Sequence, residues 1–315
     1  MSPLRSSLAK SVGKLLGVYR DTDLSLRTTV ESKHVEPAFA ATGGNQNTAG
    51  GDAPGNGYKY HVFTSSGSLV CTGSPKNIEF LVVAGGGGGG YGNGGAGGAG
   101  GLRSNDPNIP GPSGMKVTST VTLSAGTYPI TVGSGGVSDP EPYSARIGEP
   151  SSIGSLVIAT GGGAGGPVSP DGEQPKMDGG SGGGSEPYAG QTVASPDGLT
   201  VTKQGHNGAT ANGGGGGGGA GGNASGTTGG GKLECPAYSS PIIHPICPMP
   251  TNWQTYVGSG GGYAAGGYGY PNRNSSPNQA DGSSYAGIVN TGGGCDSNND
   301  DQLGGKGIVI IRYTV

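Results

Sequence analysis

Residues 78–101 read IEFLVVAGGGGGGYGNGGAGGAGG, an apolar strand-like run that passes directly into almost uninterrupted glycine. The same transition recurs at residues 155–166 (SLVIATGGGAGG), and long glycine runs without a preceding strand follow at 213–222 and 258–262. Glycine loses more conformational freedom on folding than any other residue. At roughly 1–2 kcal/mol per residue, ordering the unbroken glycines of 213–219 costs on the order of 10 kcal/mol. One geometry offsets this. An extended left-handed helix with about three residues per turn has no internal hydrogen bonds and points every N–H and C=O sideways. Packed side by side with no Cβ between them, such helices bond backbone to backbone, each bond contributing roughly 0.5–1.5 kcal/mol net. Within residues 93–102, Asn93, Ala96, Ala99 and Leu102 are spaced by three and fall on one edge, expected to face outward or to meet the strands.

Two other readings compete. Collagen requires glycine at every third position, and the doublets and longer runs here break that repeat. With 74 glycines and 23 prolines in 315 residues, the composition also fits a flexible low-complexity chain. Against that, the glycine runs alternate with strand-like segments at 58–64, 77–84, 116–123, 127–132, 155–160 and 306–314, which are β-branched and aromatic and bounded by Gly, Ser and Pro. The last of these, within GIVIIRYTV, is apolar on both faces and is expected to be a covered central strand. The expected fold is all-β with packed polyglycine II helices, a glycine-rich sandwich framed by β-strands, preceded by a short α-helical N-terminal arm. The boundaries are an arm at 1–36, a linker at 37–57 and the glycine-rich domain at 58–315.

The arm differs in composition from the rest. Leu4, Leu8, Val12 and Leu15 form one apolar stripe, and Arg5, Lys10 and Lys14 make its start basic. A docking arm for a larger assembly, an organelle transit peptide and an ordinary surface helix all fit this pattern. No secretory signal is evident, and no stretch approaches the ~20 apolar residues of a membrane span, so membrane insertion is not expected. Between the glycine runs lie irregular inserts at 167–178, 186–212, 232–257, 268–285 and 295–303, which hold many of the tyrosines and the single tryptophan. If the glycine runs form a rigid block, these inserts emerge at its ends as loops, where binding commonly sits. Tyr238, Trp253, Tyr256, Tyr268 and Tyr270 are the candidates for outside contact, because aromatic rings on rigid loops give large contact area at low entropic cost. The competing reading is that they pack on the glycine surface as a lid.

Other chemistry finds less support. The glycine stretch after residue 83 imitates a dinucleotide fingerprint but has no helix to follow it, and no G-K-[ST] exists for a phosphate loop. Ser181 in GGSGG matches a nucleophile elbow only through glycine repetition. Cys235, His244 and Cys247 lack an evident fourth ligand for zinc; a Cys235–Cys247 disulfide closing the largest loop fits better than zinc, while synthesis in a cytoplasm argues for free thiols. Asp296, Asn298 and Asp300 alternate like the start of a calcium loop, but the required Gly and closing Glu are missing, leaving at most a weak ion site. No cofactor is expected. With a net charge of −3 and no basic aromatic stripe beyond the arm, nucleic acid is not an expected partner.

YKYHVFTSSGSLV, IEFLVVAGGGGGG, VTLSAGTYPITVGSGG, SSIGSLVIATGGGAGG and GGKGIVIIRY, in this order, resemble the glycine-rich domain of tailed-phage virion proteins. Such a domain also occurs in the adhesins at the tips of T-even-like tail fibres, with a relative in the ectodomain of anaplastic lymphoma kinase. The resemblance spans residues 58–315, and the opening LAKSVGKLLGVYRDTDLSLR is similar to the leader of marine-phage virion proteins. It implies polyglycine motifs at 85–90, 161–166, 213–222 and 258–262, with a receptor-contacting tip in the inserts that follow them. The chain departs from the tail-tip adhesins in its short N-terminal region and in the length of 232–257. The implied function is a non-enzymatic virion component of tail-fibre or adhesin type. It would be made in the host cytoplasm and released by lysis, docked to other virion proteins through its arm, able to form a homo-oligomer, and directed at a host glycan or outer-membrane protein. The alternatives are a capsid or tail decoration protein and a polysaccharide-degrading enzyme.

Overall fold

The computed structural model describes residues 37–90, 94–109, 115–138, 146–166, 177–186, 188–197, 199, 203–270, 286–297 and 303–315. The arm residues Leu4, Arg5, Leu8, Lys10, Val12, Lys14 and Leu15 lie outside them, as do Asn298 and Asp300. Residues Ala38–Val315 form one compact unit, mostly β-sheet with little helix.

The strands are β1 (Ala40–Thr42), β2 (Tyr58–Phe63), β3 (Gly67–Thr72), β4 (Lys76–Val83), β5 (Leu102–Ser104), β6 (Val121–Leu123), β7 (Gly126–Thr131), β8 (Ser151–Ile153), β9 (Val157–Ala159), β10 (Leu233–Glu234), β11 (Gly262–Tyr263) and β12 (Ile308–Thr314). An antiparallel sheet has the order β1-β3-β7-β8-β9, and a second has β2-β12-β4-β5, with β6 paired to the start of β4. In the second sheet β12 lies antiparallel between β2 and β4, with Ile310 opposite both Val62 and Leu81. Alternation along a strand sends neighbours to opposite faces, and β12 uses both. Val309 and Ile311 pack with Phe80 and Val82 against Leu69, Ile130 and Ile153 of the first sheet. Ile308 and Ile310 join Tyr60, Val62, Leu81 and Val83 on the other side. This two-sided burial explains why the strand carries no polar alternation.

The second face is covered by residues 232–257, expected as an irregular insert but folded into a 3-10 turn at Pro236–Tyr238 and two helices, α1 (Ser240–Ile243) and α2 (Thr251–Val257). Proline opens both the turn and α1, where its missing N–H costs nothing. α2 ends at Gly258, whose φ of +58° suits a residue without Cβ. Residues 37–57, expected as a linker, instead carry β1 and pack on the domain. Gln46 donates to the Gly43 and Thr48 carbonyls and accepts from the Val62 N–H.

The glycine runs are neither helix nor sheet by the usual criteria, yet they are buried and bonded. The N–H groups of 95, 98 and 101 donate to the carbonyls of 166, 163 and 160; those of 96 and 99 to 215 and 218; those of 97 and 100 to 295 and 292. Partners therefore recur every third residue, and three consecutive residues address three different neighbouring segments. Residues 84, 87 and 90 repeat the pattern against 101, 98 and 95. The spacing leaves no room for side chains. A Cβ on Gly87 would lie 2.0 Å from the Gly163 carbonyl oxygen, and one on Gly266 would lie 1.8 Å from that of Gly217.

Of the two placements expected for the edge that carries Ala96 and Ala99, the inward one holds: both are fully buried, and Ala99 joins the core cluster that includes Leu81 and Val83 of β4. Two other expectations are corrected. Residues 258–262 are not a bundle run but the end of α2 and a turn into β11, with Gly258 and Gly261 both at positive φ. Segments with few glycines serve instead. Residues 204, 206 and 209, in a stretch expected as a loop, give their carbonyls to the N–H groups of 102, 182 and 185.

Candidate functional site

The aromatic residues singled out from the sequence separate into buried and accessible groups. Tyr238 and Trp253 are fully buried. Trp253, Tyr256 and Val257 share the inner face of α2, and the Trp253 indole donates to the Asn290 carbonyl at 3.0 Å and meets Tyr263 edge-on, with centroids 6.3 Å apart. Tyr238 lies under Arg312, whose guanidinium carbon is 5.2 Å from its ring, and its backbone carbonyl accepts from the Tyr263 hydroxyl at 2.7 Å. Burial pushes the Tyr238 phenol well up, so it stays neutral. These two rings complete the core under the helical insert; the reading of Tyr238 and Trp253 as outside contacts is corrected by their burial.

Arg312 ties the insert to the sheet. Its Nε donates to Glu79 at 2.8 Å and its Nη2 pairs with the same carboxylate. Asp106 lies 3.5 Å away, and the Tyr58 ring centroid 4.3 Å away. A second buried pair, Arg103 with Asp197 at 2.9 Å, clamps the outer edge of the first sheet, because Asp197 also accepts from the Ile158 N–H at 2.8 Å.

Tyr256 is buried as well, which corrects its reading as an outside contact, so Tyr268 and Tyr270 alone of the five mark the accessible side. A cleft of about 420 Å³ opens between the end of α2 and two glycine segments, lined by Gly231, Lys232, Thr255, Tyr256, Gly266 and Tyr268 among others. The chain builds it in steps. The segment 229–231 leads into β10, and β10 pairs with β11, so residues 265–268 return beside 229–231. The helix between those strands lays Thr255 and Tyr256 over the gap. Gly262 allows the Lys232 stem to cross, since a Cβ there would strike its Cδ at 2.3 Å. The Lys232 ammonium donates to the Tyr256 carbonyl at 2.7 Å, sits 5.1 Å from the Tyr256 ring centroid and lies 3.6 Å from Glu234. Burial pushes the Tyr256 phenol up, opposed by a hydrogen bond with the Ala265 backbone. Gly231 is exposed, and a Cβ there would meet nothing. Part of the cleft wall is therefore bare peptide. Tyr268 is half-buried and Tyr270, just beyond the cleft, is exposed.

The remaining candidates take structural parts. The Cys235 and Cys247 thiols are buried and are not joined, so of the two alternatives for this pair the structure has the free thiols. The Cys247 thiol points to the Asn45 carbonyl at 3.5 Å, on the β1 side of the insert, while the Cys235 thiol stays with the Leu233 carbonyl at 3.9 Å. His244 accepts from the Met249 N–H at 3.0 Å and so closes its own turn. Asp296 is buried and accepts from the Tyr268 N–H at 2.6 Å, which fixes the segment that carries the cleft tyrosine. Among the described residues no cluster of three or more His, Cys, Asp or Glu side chains is placed to hold a metal. Ser181 is buried in the glycine bundle, and among the described residues its hydroxyl has no hydrogen-bond partner. Lys232 was missed by sequence reasoning; its position directly after a glycine run and before a strand-like pair was the available signal.

A glycine-rich domain family model matches residues 63–314. The chain belongs to that family. No curated protein matches the chain.

Proposed function

We propose that the glycine runs are polyglycine II helices and that the chain is a phage virion protein of tail-fibre or adhesin type, whose stiff glycine bundle presents a recognition surface to the host. The observation that carries this reading is the cleft, where half-buried Tyr268, beside buried Tyr256, sits on backbone held by dense hydrogen bonds between separate segments of the chain. A rigid base lowers the ordering cost of binding, and aromatic groups on it supply contact area. In this reading the N-terminal arm, through Leu4, Leu8, Val12, Leu15 and its basic residues, docks on other virion proteins. The chain acts by binding rather than by catalysis. Its target is a host glycan or outer-membrane protein.

The test is to locate the chain on whole particles by antibody labelling and electron microscopy, and to measure binding of the full chain to host cells. Labelling at fibre tips with saturable cell binding supports the proposal. Labelling spread over the capsid or tail surface without cell binding refutes it in favour of a decoration protein.

A further inference from the structure

The cleft beside Lys232 has features that select one class of ligand. Its volume of about 420 Å³ falls within the range of small-molecule sites, roughly 300–1,000 Å³. Bare peptide at Gly231 and Gly266 forms part of its wall, so a flat ring can approach the backbone more closely than any side chain would allow. Half-buried Tyr268, in the segment after β11, adds aromatic surface, and Tyr256, buried on α2, closes the cleft behind it. Such surface accepts the C–H face of a pyranose as readily as another apolar plane.

Charge narrows the choice further. Among the described residues lining the cleft, Lys232 is the only basic or acidic side chain, and Glu234, at the margin rather than in the lining, stands 3.6 Å from it, each side chain partly exposed. The pair carries no net charge, so it offers little pull on an anion. It does set an ammonium donor beside a carboxylate acceptor. A pair of vicinal hydroxyls, each of which donates and accepts, matches that arrangement. Thr255 is poised differently: its hydroxyl donates to the Thr251 carbonyl at 3.0 Å, which leaves its oxygen as an acceptor. The cleft thus combines an apolar plane with matched donors and acceptors and no excess charge.

We infer that this cleft binds a neutral saccharide ring. The aromatic wall is Tyr268 with buried Tyr256 behind it, and Lys232, with Glu234 at the cleft's margin, takes adjacent hydroxyls. The inference rests on the host-recognition reading for its biological use, but the binding itself is independent of it.

The experiment is saturation-transfer NMR on the full chain with methyl α-glucoside, methyl β-galactoside, N-acetylglucosamine and glucuronate as probes. The expected result is transfer to at least one neutral probe and less to glucuronate. Tyr268→Ala should weaken that binding about tenfold, Tyr268→Phe should retain it, and Tyr188→Ala, on an exposed tyrosine outside the cleft, should leave it unchanged. Thermal melting of each variant shows that it is folded. No transfer to any neutral probe, transfer to glucuronate alone, or transfer indifferent to Tyr268→Ala overturns the assignment. Cell binding by the Tyr268→Ala chain equal to that of the unaltered chain leaves host recognition standing and removes the cleft from it. Sugar transfer without cell binding supports the cleft and removes the host reading.

Discussion

Gly217 touches three other segments of the glycine bundle, and an alanine there has no place for its methyl group. Its N–H donates to the Gly267 carbonyl at 3.0 Å, and its own carbonyl accepts from Gly230 at 2.8 Å. A Cβ would lie 2.0 Å from the Gly97 oxygen, whereas even close carbon–oxygen contacts settle near roughly 3.3–3.6 Å. The segments must therefore separate by more than about 1 Å, and no side-chain rotamer can relieve the clash because the obstacle is backbone. Overpacking of this kind costs about 1–3 kcal/mol, and weakening two or three bonds at roughly 0.5–1.5 kcal/mol each adds to it. The expected loss for Gly217→Ala is about 3–6 kcal/mol, a large fraction of the stability of a typical domain. Gly231→Ala is the matched control, since its Cβ meets nothing; its stability should stay within about 1 kcal/mol of the unaltered chain. Urea denaturation followed by circular dichroism measures both. Equal midpoints for Gly217→Ala and the unaltered chain would refute the claim that backbone contact holds the runs together.

Other perturbations test the pieces around the bundle. Asp197→Ala strands the buried Arg103 and should destabilise the domain by about 3–5 kcal/mol, read from the same denaturation curve. The four thiols should resist a thiol reagent in the native chain and all react after unfolding without reductant, because each is buried; fewer than four on unfolding would reinstate a disulfide. Burial also raises the Cys71 and Cys247 thiols to about 11 and Cys295 to about 12. The folded state then favours the protonated thiol, so this contribution is intact below the unfolded value near about 8.5 and is lost as pH rises above it. Melting temperature should fall from pH 8 towards 11, and substituting Cys295 with Ala should flatten part of that fall. His61 shifts the other way: burial lowers its pKa, so stability should decline as pH falls below about 6.5, and melting of His61→Gln between pH 5 and 7.5 should show a weaker decline.

Much of the β framework was legible because burial on both faces leaves a chemical signature. The run GIVIIRYTV announces β12, and YKYHVF and KNIEFLVV announce its two neighbours. The short strands β1 and β8 were harder to read, since three residues of Ala, Thr, Ser and Ile carry little periodicity, whereas β9 lies within the run read at 155–160. The bundle's glycine members were visible, but their partners at 203–209 and 292–297 were not all so. Such segments contribute carbonyls at the bundle's edge, where a side chain can point away and glycine is not required. For the site, composition marked the aromatics but not their burial. The spacing of Trp253, Tyr256 and Val257 before Gly258 is a helical face followed by a helix-ending glycine, a signal that could have placed Trp253 in the core. Arg312 in the last strand, buried with Glu79 and Tyr238 from distant parts of the chain, depends on tertiary contacts that no local pattern reports.

The central claim is that bare peptide groups of separate glycine segments satisfy one another in a closely packed bundle. Hydrogen–deuterium exchange on the native chain, resolved to peptides covering 94–101 and 214–221, tests it most directly. The account predicts slow exchange at both, comparable to β12. Exchange at the rate of an unstructured peptide would contradict it.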